Sequence, residues 1–304
     1  MKLLLKKIKP LKNAYDQARK RAIENALYEQ GLWPLYEDLR DSGIDITCQY
    51  TSTLVDTPYL QAKVRGLHAF QMRLIYDCLF NYEIYCLFNL FNYDILEGAR
   101  SANYLDIGDS AGTHYQYLKL KETDGWPKVD GYVSVNVDQE AIRRITAIIG
   151  ITAVEGDAED DDVLDYIPFS EKGRIILMFE TLEHIENPIR LLKSLSKRSD
   201  LKAFILTVPY VRRSRVVLDP KLGDEKEDIH VFELCPGDWK RVFAHCGWEV
   251  IEEETYWQYL RGSYRQGIQR TLLRAFLRPL RAAYWRYFDF EGFWGVVLIP
   301  KKGG

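Results

Sequence analysis

The sequence predicts an α/β protein in which a parallel sheet follows a helical N-terminal segment. Three observations predict it. From about Asn13 to Ile95 the apolar residues recur at three- and four-residue steps, and in "VRGLHAFQMRLIYDCLF" Val64, Leu67, Phe70, Leu74 and Ile75 share one helical face. Past the polar turn "LEGARSAN" the pattern switches to short β-rich runs alternating with helical segments, the signature of βαβ units. The first of these runs, "YLDI", carries an acid one residue before its end and enters "GDSAGTH", a glycine-bearing turn at a strand's carboxyl end, where such sheets bind ligands.

Taken in order, strands are expected at 102–107, 131–137, 150–154, 173–179, 202–208, 247–257 and 293–300, with helices filling most of the gaps between them. The change of pattern sets a boundary near residue 98. It separates a helical extension, 1–97, from an α/β domain, 98–304, which carries a basic helical insertion at about 259–290. The most apolar stretch, 74–96, is interrupted by Asp77, Asn81, Glu83 and Asn89, which a lipid-spanning helix tolerates poorly, so it reads as helical core.

Apolar residues at 47% and charged residues at 28% describe an ordinary globular chain. The net charge of -3 conceals segregation. Lys2, Lys6, Lys7, Lys9, Lys12, Arg19, Lys20 and Arg21 crowd the start. Arg261, Arg265, Arg270, Arg274, Arg278, Arg281 and Arg286 run without an intervening acid near the end, and "EGDAEDDD" at 155–162 is a compact acidic counterweight. The five cysteines form no C-x-x-C pair, and their odd number argues against a disulfide framework, so a reducing cytoplasm is expected. "MKLLLKKIKPLK" has lysines inside its apolar stretch and no small-residue cleavage site, which reads as no signal peptide.

The glycine turn discriminates between ligands. A dinucleotide loop would read G-x-G-x-x-G and place an acid at the end of the next strand. Here Gly108 and Gly112 are spaced G-x-x-x-G, and Asn136 stands at the end of that strand. Asp106 can accept from an ammonium or a hydroxyl, the glycines permit close backbone approach, and the helix from about Thr113 can face a carboxylate. That mixture suits an amino-acid-like ligand.

Further along come "VSVNVDQEAI", "VEGDAEDDDVLDYIPFS", "IILMFETLEHIENPIRLLKSL", "LKAFILTVPY" and "HVFELCPGDWKRVFAHCGWEVIEEETYW". Over roughly residues 98–300 this series resembles the class I S-adenosylmethionine-dependent methyltransferases, especially small-molecule members. The resemblance implies a Rossmann-like, mostly parallel seven-stranded sheet with an antiparallel last strand, and S-adenosylmethionine as cofactor. It further implies that Asp106, Gly108 and Gly112 line the methionine part, that Ser110 meets the cofactor, either lowering its affinity or giving it an extra hydroxyl partner, that Asn136 holds the ribose hydroxyls, and that Asp157 contacts the adenine amine beside Ala158. The family usually has glycine at the place of Ser110 and an acid at that of Asn136, where Asp138 stands ready to compensate.

"FETLEHIENP" sets Glu180, Glu183 and His184 at the end of the fourth strand and the turn after it. His184 reads as general base for an acceptor hydroxyl or as a packing residue, and Glu180 and His230 are the other catalytic candidates. The E-x-x-E-H string is also similar to the metal-binding segment of ubiquinone-pathway and small-RNA methyltransferases. Its spacing fixes no coordination geometry, and no metal is expected. His114 and His245 read as surface or packing residues.

In "RTLLRAFLRPLRAAYWRYF", Arg270, Arg274, Arg278 and Arg281 repeat at helical spacing opposite Leu273, Phe276, Leu277 and Leu280, which suits an anionic acceptor or a membrane surface. The function expected is O-methylation of a small molecule or saccharide, lipid-linked acceptors included, in surface-glycan synthesis of a bacterial cytoplasm. A non-catalytic binding protein on the same fold is the alternative. A nucleic-acid methyltransferase is disfavoured by the mild acidity and by the lack of an N-P-P-Y motif.

Overall fold

The structure, a computed structural model, describes residues 9–46, 55, 57–80, 92–94, 99–160, 167, 170, 173–216, 230–258 and 292–301. The arginine stretch with Arg270, Arg274, Arg278 and Arg281 lies outside the described residues. The chain divides into two compact units, Met1–Phe70 with Tyr256–Gly292, and Gln71–Thr255 with Phe293–Gly304.

The first unit is helical where its segment Met1–Phe70 is described, and it also takes in the last residues of one strand, Tyr256 and Trp257. It contains α1 (Lys9–Glu29), α2 (Trp33–Asp41) and the start of α3 (Pro58–Phe80). Ile23, Ala26, Leu27, Tyr36 and Leu39 are buried at helical spacing. The Gln30 side chain donates to the Trp257 carbonyl at 2.8 Å and accepts from its N–H at 2.8 Å, satisfying both polar groups of that peptide position.

The second unit is the sheet domain. Its strands are β1 (Asn92–Asp94), β2 (Ala99–Ile107), β3 (Lys128–Asn136), β4 (Thr152–Glu155), β5 (Arg174–Phe179), β6 (Leu201–Pro209), the short pair β7 (Arg215–Val216) and β8 (Phe232–Glu233), then β9 (Trp248–Trp257) and β10 (Gly292–Pro300). The main sheet runs β4-β3-β2-β5-β6-β10-β9. Pairings from β4 through β6 are parallel, and β10 enters antiparallel to β6 with Gly295 opposite Thr207. Each strand of the main path coincides with one expected from the sequence to within three residues. The β5 run "RIILMF" is buried at every position, as a central parallel strand flanked on both faces requires.

The sequence missed three strands. Asn92–Asp94, placed in a helical segment by periodicity, instead pairs antiparallel with the start of β2, Asn92 opposite Ser101. Three residues carry too little pattern to reveal a period, and the pairing depends on a neighbour already in the sheet. Likewise, β7 and β8 are two residues each and form only against one another, Arg215 opposite Glu233.

Helices α4 (Thr113–Lys121), α5 (Gln139–Thr146), α6 (Pro188–Lys197) and α7 (Pro236–His245) connect the strands. Local signals start two of them. Asp138 caps α5, its side chain accepting from Glu140 N, and Asn187 caps α6 with Pro188 at the first position. Leu191, Leu192 and Leu195 of α6, Trp239 and Phe243 of α7, and Leu105, Val133, Ile176 and Leu206 of the sheet form one buried core. Trp248 satisfies its buried indole N–H on the Leu192 carbonyl at 2.9 Å.

Candidate active site

The carboxyl ends of β2, β3 and β5 meet at the turn 108–112, and the residue after β4, Gly156, bonds to Asn136 at the end of β3. Gly108 N donates to the Val135 carbonyl at 2.8 Å. Asp109 Oδ1 accepts from Ala111 N at 3.1 Å and Gly112 N at 2.8 Å, and its Oδ2 accepts from Ser134 Oγ at 3.2 Å. The Asn136 amide donates to the Asp109 carbonyl at 2.7 Å, stitching the end of β3 to the loop. Gly108 and Gly112 have φ of 86° and 65°, the left-handed region where a side chain is strained. Gly112 caps α4 without a side-chain cap bond, so first-turn N–H groups can address an anion.

Asp106 is 1% exposed. Its Oδ2 accepts from Tyr132 Oη at 2.5 Å and faces His114 Nδ1 at 2.9 Å. Both bonds fall on one oxygen, so Oδ1 keeps its accepting capacity for a ligand. His114, expected at the surface or in mere packing, is instead buried between Asp106 and Gln71, whose Oε1 lies 3.1 Å from His114 Nε2. Asp109 was not singled out by the sequence either. Burial first, then the neighbouring Asp106 charge, push its carboxyl up to about 6 against the opposing effects of His114 and the two loop N–H bonds.

Asn136 Oδ1 accepts from Asp138 N at 2.9 Å, and one amide N–H remains beyond its bond to Asp109. Beside it, Asp138 Oδ1 accepts from Glu140 N at 3.0 Å, while Oδ2 is buried and takes no hydrogen bond among the described residues. A ligand hydroxyl would satisfy that acceptor. After β4, Asp157 Oδ1 accepts from Glu159 N at 2.9 Å beside buried Ala158, and Glu159 accepts from Glu186 N at 3.1 Å and Asn187 N at 2.5 Å. The acidic turn is thereby tied to the turn after β5. Ser110 is half-buried, and its carbonyl accepts from Arg144 at 3.1 Å.

Leu182–His184 forms a 3₁₀ turn directly after β5. Val231 N donates to the Glu183 carbonyl at 2.8 Å, which brings the strand-like segment 230–233 onto this turn. The His184 and His230 rings meet edge to face with centroids 4.7 Å apart. His230 Nδ1 lies 3.1 Å from Glu233 Oε1, and Glu233 is in turn paired with Arg215. The carboxylate acceptor selects the tautomer with Nδ1–H and the lone pair on Nε2. Glu233 and Arg215 escaped sequence reasoning. The signal available was Glu233 three residues after His230.

Glu180 has φ of 51°, the one non-glycine in the left-handed region among the described residues, and its N–H donates to the Thr207 carbonyl at 3.0 Å. Such strain concentrates at functional turns. Glu183, His184 and His230 place one donor atom each within 4.8 Å of one another, and Glu180 is not of that group. A carboxylate with two imidazoles suits zinc or a transition metal better than magnesium or calcium. Asp106, Asp109 and His114 also converge within 4.8 Å, but there His114 and Asp106 are already bonded to each other.

The strand order decides the fold: β2 lies at the centre, β3 and β4 step out on one side, β5 and β6 on the other, and β10 inserts antiparallel between β6 and β9. The chain has the Rossmann-like methyltransferase fold. In this methyltransferase fold the turn 108–112 follows the central strand, and the Asn136 and Asp157 turns follow the next two strands outward. No protein-family model and no curated protein sequence matches the chain. Among solved structures it is similar to the [4+2]-cyclase SpnF, at 11% identity over 93% of this chain and 97% of that one, with a TM-score of 0.48. It is also similar to the O-methyltransferase of a trans-AT polyketide synthase multienzyme of Brevibacillus brevis, solved with S-adenosyl-L-homocysteine, at 14% identity over 79% and 76% of the two chains and a TM-score of 0.47. No described helix is long and apolar enough to cross a membrane.

Proposed function

We propose that the protein is an S-adenosylmethionine-dependent methyltransferase acting on a hydroxyl of a small-molecule acceptor, with a saccharide as the acceptor class and surface-glycan synthesis as its setting. The observation that carries the reaction type is the His230–Glu233 pair set against His184 beside the end of β5. When bound, S-adenosylmethionine supplies an electrophilic methyl group. Asp106 Oδ1, the first turn of α4, Asn136 with Asp138, and Asp157 are the groups that would hold it, an assignment supported by the buried acceptor on Asp138 and the uncapped start of α4.

The chain's own residues then do three things. The loop and Asp106 orient the cofactor's amino-acid part, and holding its methyl group in line with the acceptor hydroxyl is the kind of alignment that can remove up to about 7 to 11 kcal/mol of a barrier. His230, held by Glu233 at Nδ1, takes the acceptor proton at Nε2. His184 packs edge to face on that ring and fixes its plane, or serves as the base itself. Exposed Arg212 and Arg213, on the segment that leads from β6 into the β7–β8 pair, support an acceptor with an anionic group such as a lipid phosphate. The stretch containing Arg270, Arg274 and Arg278 is proposed to contribute to the same recognition or to peripheral membrane contact.

Incubating the pure protein with methyl-labelled S-adenosylmethionine and fractionated extract tests this. Label is expected in a small polar or lipid-linked saccharide as a base-stable ether. Cofactor binding without transfer to any fraction would favour the non-catalytic reading.

A further inference from the structure

His114 stands at the centre of a buried polar cluster assembled from several elements. It is 4% exposed, and Asp106 and Asp109 are 1% and 2% exposed. Nδ1 faces Asp106 Oδ2 at 2.9 Å, and Nε2 faces Gln71 Oε1 of α3 at 3.1 Å. Both partners are acceptors, and a neutral imidazole has only one N–H to give. The doubly protonated ring satisfies both contacts. Tyr132 Oη and Ser134 Oγ of β3 donate to Asp106 and Asp109, and the Phe179 ring of β5 lies 4.7 Å from the imidazole; among the described residues the two carboxylates are the charges that act on it, with the Tyr132 hydroxyl on the same Asp106 oxygen.

We propose that His114 is the positioning residue of the cofactor loop: its imidazolium fixes Asp106 through Nδ1 and neutralises part of the charge of the Asp106–Asp109 pair, so that ligand binding at the loop is linked to the proton on His114. The proposal rests on the S-adenosylmethionine reading above. Burial alone pushes the imidazole pKa down, but the Asp106 charge, its hydrogen bond and the Asp109 charge together carry it above the ordinary value. A ligand ammonium at Asp106 Oδ1 shares the carboxylate that holds this proton. Binding therefore lowers the His114 pKa and releases a proton, and by linkage affinity rises as pH passes through the titration of free His114.

The test uses the full chain and S-adenosyl-L-homocysteine. Calorimetry in buffers of different ionisation heat reads proton release, and NMR of labelled histidine reads the protonation of His114 in the free protein. Wild type is expected to release protons and to bind more tightly as pH rises. His114→Asn keeps a donor for Asp106 without the charge, so it should retain affinity and lose the part of the pH dependence that follows the His114 titration, leaving only that of Asp109. His114→Leu loses the donor and should bind about ten-fold or more weakly, the range for removal of an orienting partner. Leu binding as tightly as Asn, or an imidazole that stays neutral from acid to neutral pH in a protein that binds the ligand, would overturn the proposal alone. Wild type that binds no ligand at any pH would instead remove the functional reading and the linkage with it.

Discussion

Gly108 and Thr181 leave no room for a methyl group between them: a Cβ on Gly108 would stand 2.2 Å from Thr181 Oγ1. Gly108 also has φ of 86°. Gly108→Ala is therefore expected to suffer twice, from left-handed strain of about 1 to 2 kcal/mol and from overpacking of about 1 to 3 kcal/mol. Adding Thr181→Gly should relieve the second cost and leave the first. Thermal denaturation of the single and double variants checks this, and equal melting temperatures would show that the steric contact carries no cost.

His230→Ala is expected to lower kcat by about 10² to 10⁴ while leaving S-adenosyl-L-homocysteine affinity unchanged, because the general base touches the acceptor side alone. Glu233→Gln should act in the same direction but less, since it disturbs the orientation of the ring and leaves the base in place. Steady-state kinetics beside calorimetry separates these effects. A loss of cofactor affinity in His230→Ala would move that residue into the cofactor site.

Asp109 provides a pH signature. Its pKa is raised to about 6 in the fold, above the ordinary carboxylate value, so the folded state holds a proton that the unfolded state has given up. Its contribution to stability is complete below the unfolded pKa and is lost as pH rises through about 6. Asp109→Asn keeps the acceptor for Ala111 N and Gly112 N and cannot ionise. The variant should melt at a higher temperature than wild type at pH 8, with the difference shrinking toward pH 4. A difference independent of pH would contradict the assignment.

Asp138→Asn isolates the second carboxylate oxygen. Asparagine caps a helix about as well as aspartate, so the cap on Glu140 N survives and the melting temperature should hardly move. The buried Oδ2 loses its charge, and a charged acceptor binds a hydroxyl roughly twice as strongly as a neutral one. Weaker S-adenosyl-L-homocysteine binding is expected, and unchanged affinity would leave the ribose to Asn136.

Turnover is expected to survive chelation, because the base reading uses His230 Nε2 for the acceptor proton. Activity lost in EDTA and restored by zinc or manganese would reassign Glu183, His184 and His230 as ligands. Glu183→Gln would then abolish the metal response.

Much of the fold and part of the site are legible in local pattern. "YLDIGDSAGTH" contains both the strand and the turn, since an apolar run and two glycines four residues apart act within one βα unit. "HIENPIR" likewise contains its own helix start, with Asn187 as cap and Pro188 behind it. His114 shows the opposite case. Nothing within its neighbours in sequence distinguishes a ring bonded to a buried carboxylate from a packing ring, because Gln71 reaches it from 43 residues upstream.

The sequence by itself determined the order and placement of the main strands, the glycine turn after the central one, and the catalytic candidates His184 and His230. These depend on hydrophobic alternation, turn chemistry and residue type, which operate over a few residues. Tertiary structure alone decided which side chains meet: His230 with Glu233 against His184, Asp106 with His114 and Tyr132, and Glu159 with the turn at Glu186 and Asn187. The physical reason is desolvation. A charge or an N–H acquires its partner, its pKa and its cost from what the fold brings against it once water is removed, and those neighbours come from distant strands whose register no local pattern records.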